Sequence, residues 1–358
     1  MRSLLLNMFI ALFWVSGVTV SFWYIYKKRN TIQHRSSNLA LKHTMHSSSG
    51  TCSNCGSEDS NLQDQIIKRY NNQWSKQEDN FNKFRSMLVS SCHGASKAIV
   101  TQANTPLGSK VEYDGEKTKP FKVTPKLFNT FSKEPFHNFP WKTCAVVGNG
   151  GILTNSSCGE DIDSAQFIFR CNLPPLGNGY KKDVGNKTNL VTANPSILLD
   201  KFAGLMERRH PFVENLSSYG NSFLLLPAFS YSRNIDVSLR AVYTLQDFQT
   251  PARPIFLNPK YLKSLMQFWR ARGLKAERLS TGVMMASLAL ELCMNVNLYG
   301  FWPFPLHPYR KHPLSNHYYD DQQGKNVHNM SAEFEQLLRL HEQGVVRVHL
   351  GKCTSGPR

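Results

Sequence analysis

Two histidines in a polar C-terminal stretch are the candidate catalytic residues of this sequence. His317 lies in His317-Tyr-Tyr-Asp320-Asp321, and His328 follows eleven residues later. An unperturbed imidazole has a pKa of about 6.5, so it can accept or donate a proton near neutrality. A lone histidine is more often a surface or core residue. Two of them beside a segment that could bind an anion favour acid–base chemistry.

That anion-binding segment is Ser280-Thr281-Gly282, which precedes an apolar run expected to form a core helix. Its plain meaning is an N-cap, because a serine oxygen accepts a backbone N–H at the start of a helix. The remaining free N–H groups could also bind a phosphate, since the positive end of the helix dipole lies there.

Two asparagines at the ends of predicted strands could bind a nucleotide from one crevice. Asn149 lies in the turn Gly148-Asn149-Gly150-Gly151, and Asn172 lies in Arg170-Cys171-Asn172. Glycines let the backbone approach a phosphate or sugar, and an asparagine offers a donor and an acceptor to a ribose or base edge. The alternative is that both asparagines only cap turns, and the sequence favours neither interpretation.

Two other kinds of site compete with this interpretation. A dinucleotide site is disfavoured, because Leu153 stands where the third glycine is required and Arg170 where an acidic residue is expected. Asp161-Ile-Asp163 has the D-x-D form of metal-dependent glycosyltransferases, but such triplets are common by chance and we interpret this one as structural. Cys52 and Cys55 form a lone C-x-x-C without further ligands at suitable spacing, so we expect no metal site.

The elements that must position these residues alternate between strands and helices from residue 144 onward. This alternation predicts an α/β fold with a Rossmann-like parallel sheet flanked by helices. Farther upstream, spaced apolar residues predict one amphipathic helix over 62–91. The predicted strands cover 144–148, 167–169, 189–192, 223–226, 254–257 and 296–299, and the predicted helices of the α/β part cover 260–272 and 281–294.

The first 29 residues predict a membrane anchor. Residues 4–26 are almost free of charge, and about 20 apolar residues suffice for a helix to cross a bilayer. The run is long and ends in aromatic residues, which favours an uncleaved anchor over a cleaved signal peptide. We therefore expect a cytoplasmic tail at 1–3, a transmembrane signal-anchor at 4–26, a stem at 27–115 and a lumenal catalytic domain at 116–358.

The orientation of that anchor rests on conflicting signals. The positive-inside rule would place Lys27–Arg29 in the cytosol. Eight cysteines, most of them widely spaced, favour disulfides in an oxidising lumen instead. N-glycosylation sequons favour the lumen as well, and together these signals outweigh the charge rule. The sequons begin at Asn155, Asn186, Asn215 and Asn329.

The chain is strongly basic, with a formal net charge of +17 at pH 7. A charge of this size predicts attraction to anions such as acidic sugars, nucleotides, anionic membranes or nucleic acid. The sequence has no long basic block and no basic repeat interleaved with aromatic residues, so we expect no nucleic-acid partner.

Together these residues resemble the four motifs of the eukaryotic sialyltransferase family, in order along the chain. Residues 144–192 resemble the large motif and 279–302 the small motif, while His317–Asp320 and His328–Glu333 resemble the last two. The resemblance implies a GT-A-like variant of the fold, in a single catalytic domain anchored in the Golgi membrane as a single-pass type II protein. It also implies CMP-sialic acid as the donor, with no metal and no other cofactor.

The resemblance assigns roles to individual residues. The two asparagines would bind the cytidine nucleotide and its ribose, the Ser280–Gly282 segment would contact the phosphate or carboxylate of the donor, and Trp302 would border the donor. Cys171 would remain a buried thiol. The implied disulfides are Cys144–Cys293 and Cys158–Cys353, and the binding residues are Asn149, Asn172, Ser280, Thr281, Gly282 and Trp302.

Further details resemble the alpha-2,8-sialyltransferase branch, and within it the mono- and oligo-sialyltransferases. They are the segments Arg170–Pro175, Tyr299–Phe304 and Tyr113-Asp-Gly-Glu116. They imply transfer to the 8-hydroxyl of a terminal sialic acid on a glycolipid or glycoprotein, with inversion, His328 as the base and His317 assisting the departing phosphate.

The alternative is a catalytically silent subunit that binds sialylated glycans, or acts as a chaperone, on the same fold. Retention of both histidines and of the Ser280–Gly282 segment argues against it. A glycan on Asn329 would block the site, so we expect Asn329 to be unmodified. Formation of a homodimer is left open.

Overall fold

The computed structural model describes residues 55–322 and 328–353, with side chains from Leu62 onward. The predicted cytoplasmic tail and the predicted anchor at 4–26 lie outside these ranges, as does Cys52. Within the described part of the chain, no helix combines the length and the apolar character needed to cross a membrane.

Within residues 55–322 and 328–353, nine strands form two sheets. A small antiparallel ribbon contains β1 (Lys110–Val111) and β2 (Phe121–Lys122). The strands of the large sheet are β3 (Cys144–Val147), β4 (Phe167–Arg170), β5 (Leu190–Thr192), β6 (Phe223–Leu226), β7 (Arg253–Phe256), β8 (Val296–Tyr299) and β9 (Arg347–His349).

The large sheet is parallel throughout and has the order β7-β6-β5-β4-β3-β8-β9. From β3 the chain adds strands in one direction as far as β7, and then returns to place β8 on the other side of β3. The strand order therefore reverses between β3 and β8. In open parallel sheets, ligands bind outside the carboxyl ends of the strands at such a reversal.

Helices cover both faces of this sheet, as the alternating pattern predicts. The principal helices are α1 (Cys55–Tyr70), α2 (Glu78–Cys92), α3 (Gly94–Lys97), α4 (Pro125–Phe128), α5 (Gly159–Asp163), α6 (Lys181–Val184), α7 (Pro195–Asp200), α8 (Arg209–Ser217), α9 (Arg233–Asp247), α10 (Pro259–Ala271), α11 (Thr281–Leu292) and α12 (Met330–Glu342).

Two apolar cores lie on opposite faces of the sheet. Cys144 and Val146 of β3 join the core formed with α2, α10, α11 and α12. Ala145 and Val147, the alternate residues of the same strand, join the core formed with α5, α7, α8 and α9. Burial on both faces explains why β3 and β6 are continuously apolar rather than alternating in polarity. The prediction of a parallel α/β sheet flanked by helices is confirmed.

The prediction of one amphipathic helix over 62–91 is wrong in its continuity. The structure has two helices, α1 and α2, separated by residues 71–77. Gln77 precedes α2 with extended backbone angles, and the polar run Asn71-Asn72-Gln73 has no apolar side chain to bury. The apolar spacing alone could not reveal this interruption.

The α2 helix belongs to the body of the fold. Phe81, Phe84 and Leu88 are buried, and the ring of Phe84 meets the ring of Phe268 on α10 edge-on at 5.6 Å. One compact unit begins at Leu62. The part of the predicted stem from 62 to 115 thus lies in that unit, while its separate functional role as a stem stays a prediction.

A buried carboxyl group joins α2, α3 and α11. Glu291 of α11 accepts a hydrogen bond from the backbone N–H of Gly94, and its side chain faces Cys92 and Tyr261. Arg85 donates to the backbone carbonyl of Glu291 and adds a nearby positive charge. Burial raises the pKa of Glu291 to about 7. Burial also raises the pKa of the Cys92 thiol and of the Tyr261 hydroxyl, so both stay neutral near pH 7.

We expect Glu291→Gln to remove a pH-dependent part of the free energy of unfolding. Because the folded state raises the pKa of Glu291, its stabilising effect is complete below the unfolded pKa and is lost as pH rises through about 7. Between pH 5 and pH 8 the free energy of unfolding of the wild type should fall by about 2 kcal/mol more than that of the variant. Guanidinium unfolding at several pH values measures this difference, with the exposed Glu277→Gln as the control that should follow the wild type.

Candidate active site

The turn after β3 lies against the turn after β8. The backbone N–H of Gly148 donates to the carbonyl of Tyr299 at 2.8 Å, and that of Gly150 donates to Gly300 at 3.1 Å. A Cβ at Gly148 or Gly150 would meet the Gly300 carbonyl oxygen at 2.8 or 2.7 Å, which is too close. Glycine is therefore required by packing of the two turns, and this fixes Asn149 at the point where the strand order reverses.

Asn149 and Asn172 lie next to each other at the carboxyl ends of β3 and β4. The Asn149 side-chain amide donates to the carbonyl of Cys171 at 2.8 Å. Its Oδ1 atom is buried and has no hydrogen-bond partner within the described ranges. Asn172 adopts a left-handed backbone with φ of 62°, a conformation that asparagine tolerates better than most residues. The two asparagines thus lie side by side, and their role in binding a nucleotide stays a prediction.

Asn172 is connected to the start of α11 through Asn194, a residue that the sequence did not single out. The backbone N–H of Asn194 donates to Oδ1 of Asn172 at 3.3 Å, and its side-chain amide donates to Oγ1 of Thr281 at 3.4 Å. Ser280 caps α11 by accepting from the N–H of Val283 at 3.3 Å. The N-cap prediction for Ser280 is confirmed. A Cβ at Gly282 would meet the ring of Phe301 at 2.8 Å.

His317 lies beside the same turn. It pairs with Gly150 in an antiparallel bridge, and the N–H of the next residue, Tyr318, donates to the carbonyl of Asn149 at 2.9 Å. Its Nδ1 lies 2.7 Å from Oδ1 of Asp320. A carboxylate only accepts, so Nδ1 carries the proton. Such a partner fixes the ring orientation and can stabilise positive charge on the imidazole.

His328 contacts the segment that leads into α11. Its Nδ1 is 3.1 Å from the backbone carbonyl oxygen of Arg278, two residues before Ser280. A carbonyl oxygen can only accept a hydrogen bond, so Nδ1 is the protonated nitrogen and Nε2 carries the lone pair. The ring is held in the tautomer that a general base requires.

Glu333 links His328 to Ser280 and was missed as a functional residue by sequence reasoning. It is only 2% exposed, and its Oε1 accepts from the backbone N–H of Ser280 at 2.8 Å. Burial raises its pKa, while the bonds from Ser280 and the charge of His328 oppose that rise. The only signal in the sequence was its place within the last motif, because an isolated glutamate on an amphipathic helix usually faces water.

We expect Glu333→Leu to impair the start of α11, and Glu333→Gln to retain much of its geometry. Leucine leaves the buried N–H of Ser280 without an acceptor, which costs about 1 to 3 kcal/mol. Glutamine keeps an oxygen at that position. In the leucine variant the free energy of unfolding should fall and the KM for the donor should rise. In the glutamine variant both should stay closer to the wild-type values. Equal effects of the two substitutions would contradict this role.

Trp302 follows β8 and is largely enclosed. It is 6% exposed, its indole N–H donates to the carbonyl of Leu306 at 2.8 Å, and its ring meets those of Phe304 and Phe334. These contacts support the strand end behind the site. Its predicted place beside the donor stays a prediction.

Asp163 of the D-x-D triplet has a structural use. Its carboxylate accepts from the backbone N–H of Lys187 at 2.9 Å and of Asn186 at 3.0 Å. It also lies 3.8 Å from the guanidinium of Arg170, which is fully buried. Arg170 in turn donates to the carbonyls of Val184 and Lys187. No cluster of three or more metal-ligating side chains occurs within residues 55–322 and 328–353.

Both implied disulfides are present. Cys144–Cys293 joins the first residue of β3 to the residue after α11, and Cys158–Cys353 joins the loop before α5 to the C-terminal segment. Cys171 is a buried free thiol, as expected, and burial raises its pKa to about 12.

The four sequons differ in exposure. Asn155 and Asn186 are exposed, whereas Asn215 is half-buried. Asn329 is exposed but caps α12, where its Oδ1 accepts from the N–H of Ala332 at 3.1 Å. Which of the sequons carry glycans stays a prediction.

Comparisons with known proteins show which family this chain is similar to. Residues 99–345 match the family described as glycosyltransferase family 29 (sialyltransferase). The chain is 45% identical over 282 residues to mouse alpha-2,8-sialyltransferase 8F, covering 78% of this chain and 71% of that protein. It is 42% identical over 283 residues to human alpha-2,8-sialyltransferase 8E, covering 78% and 75%. A mammalian sialyltransferase solved with Gal-beta-1-3GalNAc-ortho-nitrophenol aligns with a TM-score of 0.41 at 20% identity, over 82% of this chain and 86% of that one. The chain belongs to glycosyltransferase family 29, the sialyltransferases.

Proposed function

We propose that this sialyltransferase moves sialic acid from CMP-sialic acid to the 8-hydroxyl of a terminal sialic acid on a glycan. The names of the mouse and human relatives, both alpha-2,8-sialyltransferases, support the linkage. The observation that carries the mechanism is the tautomer of His328, whose Nδ1–H is committed to the Arg278 carbonyl and whose Nε2 is left as a base.

The donor would occupy the crevice between the asparagines and the start of α11. The unpartnered Oδ1 of Asn149 can accept a hydrogen bond from the cytidine amine or a ribose hydroxyl. Thr281 and Gly282 lie in the first turn of α11, where N–H groups and the helix dipole favour the phosphate or the carboxylate of the donor.

His328 would remove the proton from the acceptor hydroxyl as its oxygen attacks the anomeric carbon. Attack from the face opposite CMP inverts the configuration at that carbon, through an oxocarbenium-like transition state. His317, oriented by Asp320, would donate to the phosphate oxygen of the departing CMP, where negative charge develops.

The enzyme would work in the Golgi lumen, anchored by residues 4–26 as a type II membrane protein. The two disulfides are compatible with an oxidising compartment. The acceptor would be a sialylated glycolipid or glycoprotein, and the positive charge of the chain would favour encounter with two anionic substrates.

The decisive experiment incubates the purified full-length chain with CMP-sialic acid and matched acceptors. The acceptors include glycolipids and glycoprotein glycans. Each is tested in one form that ends in sialic acid and in one form that ends in galactose. Mass spectrometry should detect one added sialic acid or more only on the sialylated forms, in a linkage that an alpha-2,8-specific sialidase removes. Transfer to galactose alone would overturn the linkage, and failure to release CMP with any acceptor would favour the silent binding subunit.

A further inference from the structure

The segment Tyr113–Glu116 has no role in the mechanism above, and it packs against residues 230–232. The N–H of Gly115 donates to the carbonyl of Ser230 at 2.9 Å, and the Glu116 carboxylate accepts from the N–H of Ser232 at 2.6 Å. A Cβ at Gly115 would meet the ring of Tyr231 at 2.6 Å. The segment therefore holds Tyr231 in place from one side.

Arg278 lies against that tyrosine ring. Its guanidinium carbon is 4.9 Å from the ring centroid, and NH1 donates to the Tyr231 hydroxyl at 3.1 Å. Stacking and one hydrogen bond fix the plane of the guanidinium. Within residues 55–322 and 328–353 the guanidinium makes no other hydrogen bond and no ion pair, so its remaining N–H groups are free to bind a ligand.

Asp114 is an acidic side chain near this cation, but the two form no salt bridge. Asp114 is half-buried, burial raises its pKa, and its Oδ1 has no hydrogen-bond partner in the described chain. It lies near enough to Arg278 for an electrostatic interaction but forms no salt bridge with it. Within the described ranges this guanidinium is thus half-buried, oriented and unpaired, which suits bidentate binding of a carboxylate.

The place of Arg278 indicates which carboxylate. Its backbone carbonyl holds the ring of His328, and Ser280 at the start of α11 is two residues away. An acceptor sialic acid whose 8-hydroxyl lies at Nε2 of His328 also carries a carboxylate, and the residue that holds this histidine ring is also the one that carries the oriented guanidinium. A neutral galactose acceptor would give Arg278 nothing to bind.

We propose that Arg278, held on the ring of Tyr231, binds the carboxylate of the acceptor's terminal sialic acid and so selects sialylated acceptors. This inference rests on the proposed function. In this proposal the Tyr113–Glu116 segment supports Tyr231, the residue that orients the guanidinium.

The test compares a sialylated acceptor with the same acceptor whose terminal carboxyl is a methyl ester. With the wild type, the ester should raise the acceptor KM about 10- to 100-fold, since a charge-assisted bond is lost. Arg278→Gln should raise the KM for the acid to a similar degree, and esterification should then add little. Arg278→Lys keeps the charge without the planar fork and should fall between the two.

Arg233→Gln is the matched control, because this exposed guanidinium lies over the same ring at 5.1 Å but has no contact with His328. It should leave the acceptor KM near wild type. Equal wild-type KM values for acid and ester overturn the inference without the use of any variant. A rise in the KM for CMP-sialic acid instead of the acceptor also overturns it, as does an effect of Arg233→Gln that exceeds that of Arg278→Gln. Transfer to sialylated acceptors with no role for Arg278 removes this inference alone, whereas no such transfer by the wild type removes the proposed function with it.

Discussion

Replacing His328 with alanine should lower kcat about 100- to 10,000-fold, the range over which a general base contributes. The affinity for CMP should change little, because the nucleotide would be held by Asn149, Asn172 and the start of α11. The physical reason is the fixed tautomer. With Nδ1–H bonded to the Arg278 carbonyl at 3.1 Å, Nε2 is the basic nitrogen, and alanine has no atom to replace it.

A second substitution separates the base from a structural role. In His328→Asn the side-chain amide can still donate to the Arg278 carbonyl, but it cannot accept a proton at neutral pH. Both variants should therefore lose kcat if His328 is the base. If asparagine restores turnover, the histidine only supports the loop.

The control is His210→Ala, which removes an exposed histidine of α8 that lies beside Glu214 and the ring of Phe248. It should retain wild-type kcat and KM. Single-turnover rates, together with CMP binding measured by calorimetry, distinguish slower chemistry from weaker binding of the nucleotide. Near-normal single-turnover rates in His328→Ala would remove this residue from the mechanism.

The strands could be predicted closely from the sequence because they are buried on both faces. The predicted runs at 223–226 and 296–299 coincide with β6 and β8, and the run at 254–257 is shifted by one residue from β7. Their order in the sheet could not be predicted, because the sequence of an apolar strand does not indicate which strands lie next to it. Strand β9 was missed, since it has three residues of which only Val348 is buried.

The candidate site was predictable where a residue type is unusual for its local element. Two glycines flanking Asn149, a serine before an apolar helix and paired histidines are such residues. Glu333 and Asn194 were not, because each becomes important only through a partner far along the chain. Glu333 meets Ser280 across 53 residues, and Asn194 meets Thr281 across 87. Contacts of this kind follow from the sheet order, which local sequence does not contain.

The Cys144–Cys293 disulfide offers the largest expected effect on stability. It links residues separated by 149 positions in the sequence. In the chain-entropy account, closing a loop of this length raises the free energy of the unfolded state by about 5 kcal/mol. A folded domain is commonly stable by only about 5 to 15 kcal/mol. We therefore expect the double variant Cys144→Ala/Cys293→Ala to unfold at a much lower denaturant concentration than the wild type. Reductant should shift the unfolding midpoint of this variant less than that of the wild type, because this disulfide is already absent.

The same variant should lose activity beyond its loss of stability. Cys144 begins the strand that leads to Asn149, and Cys293 follows the helix that begins at Ser280, so the bond holds together the two elements that would bind the donor. The KM for CMP-sialic acid should rise even at temperatures where the variant remains folded. Cys92→Ala is the matched control, because Cys92 is a buried free thiol in the same core. A double variant that unfolds at the same midpoint as Cys92→Ala and keeps its donor KM would mean that packing between β3 and α11 positions the site without the covalent bond.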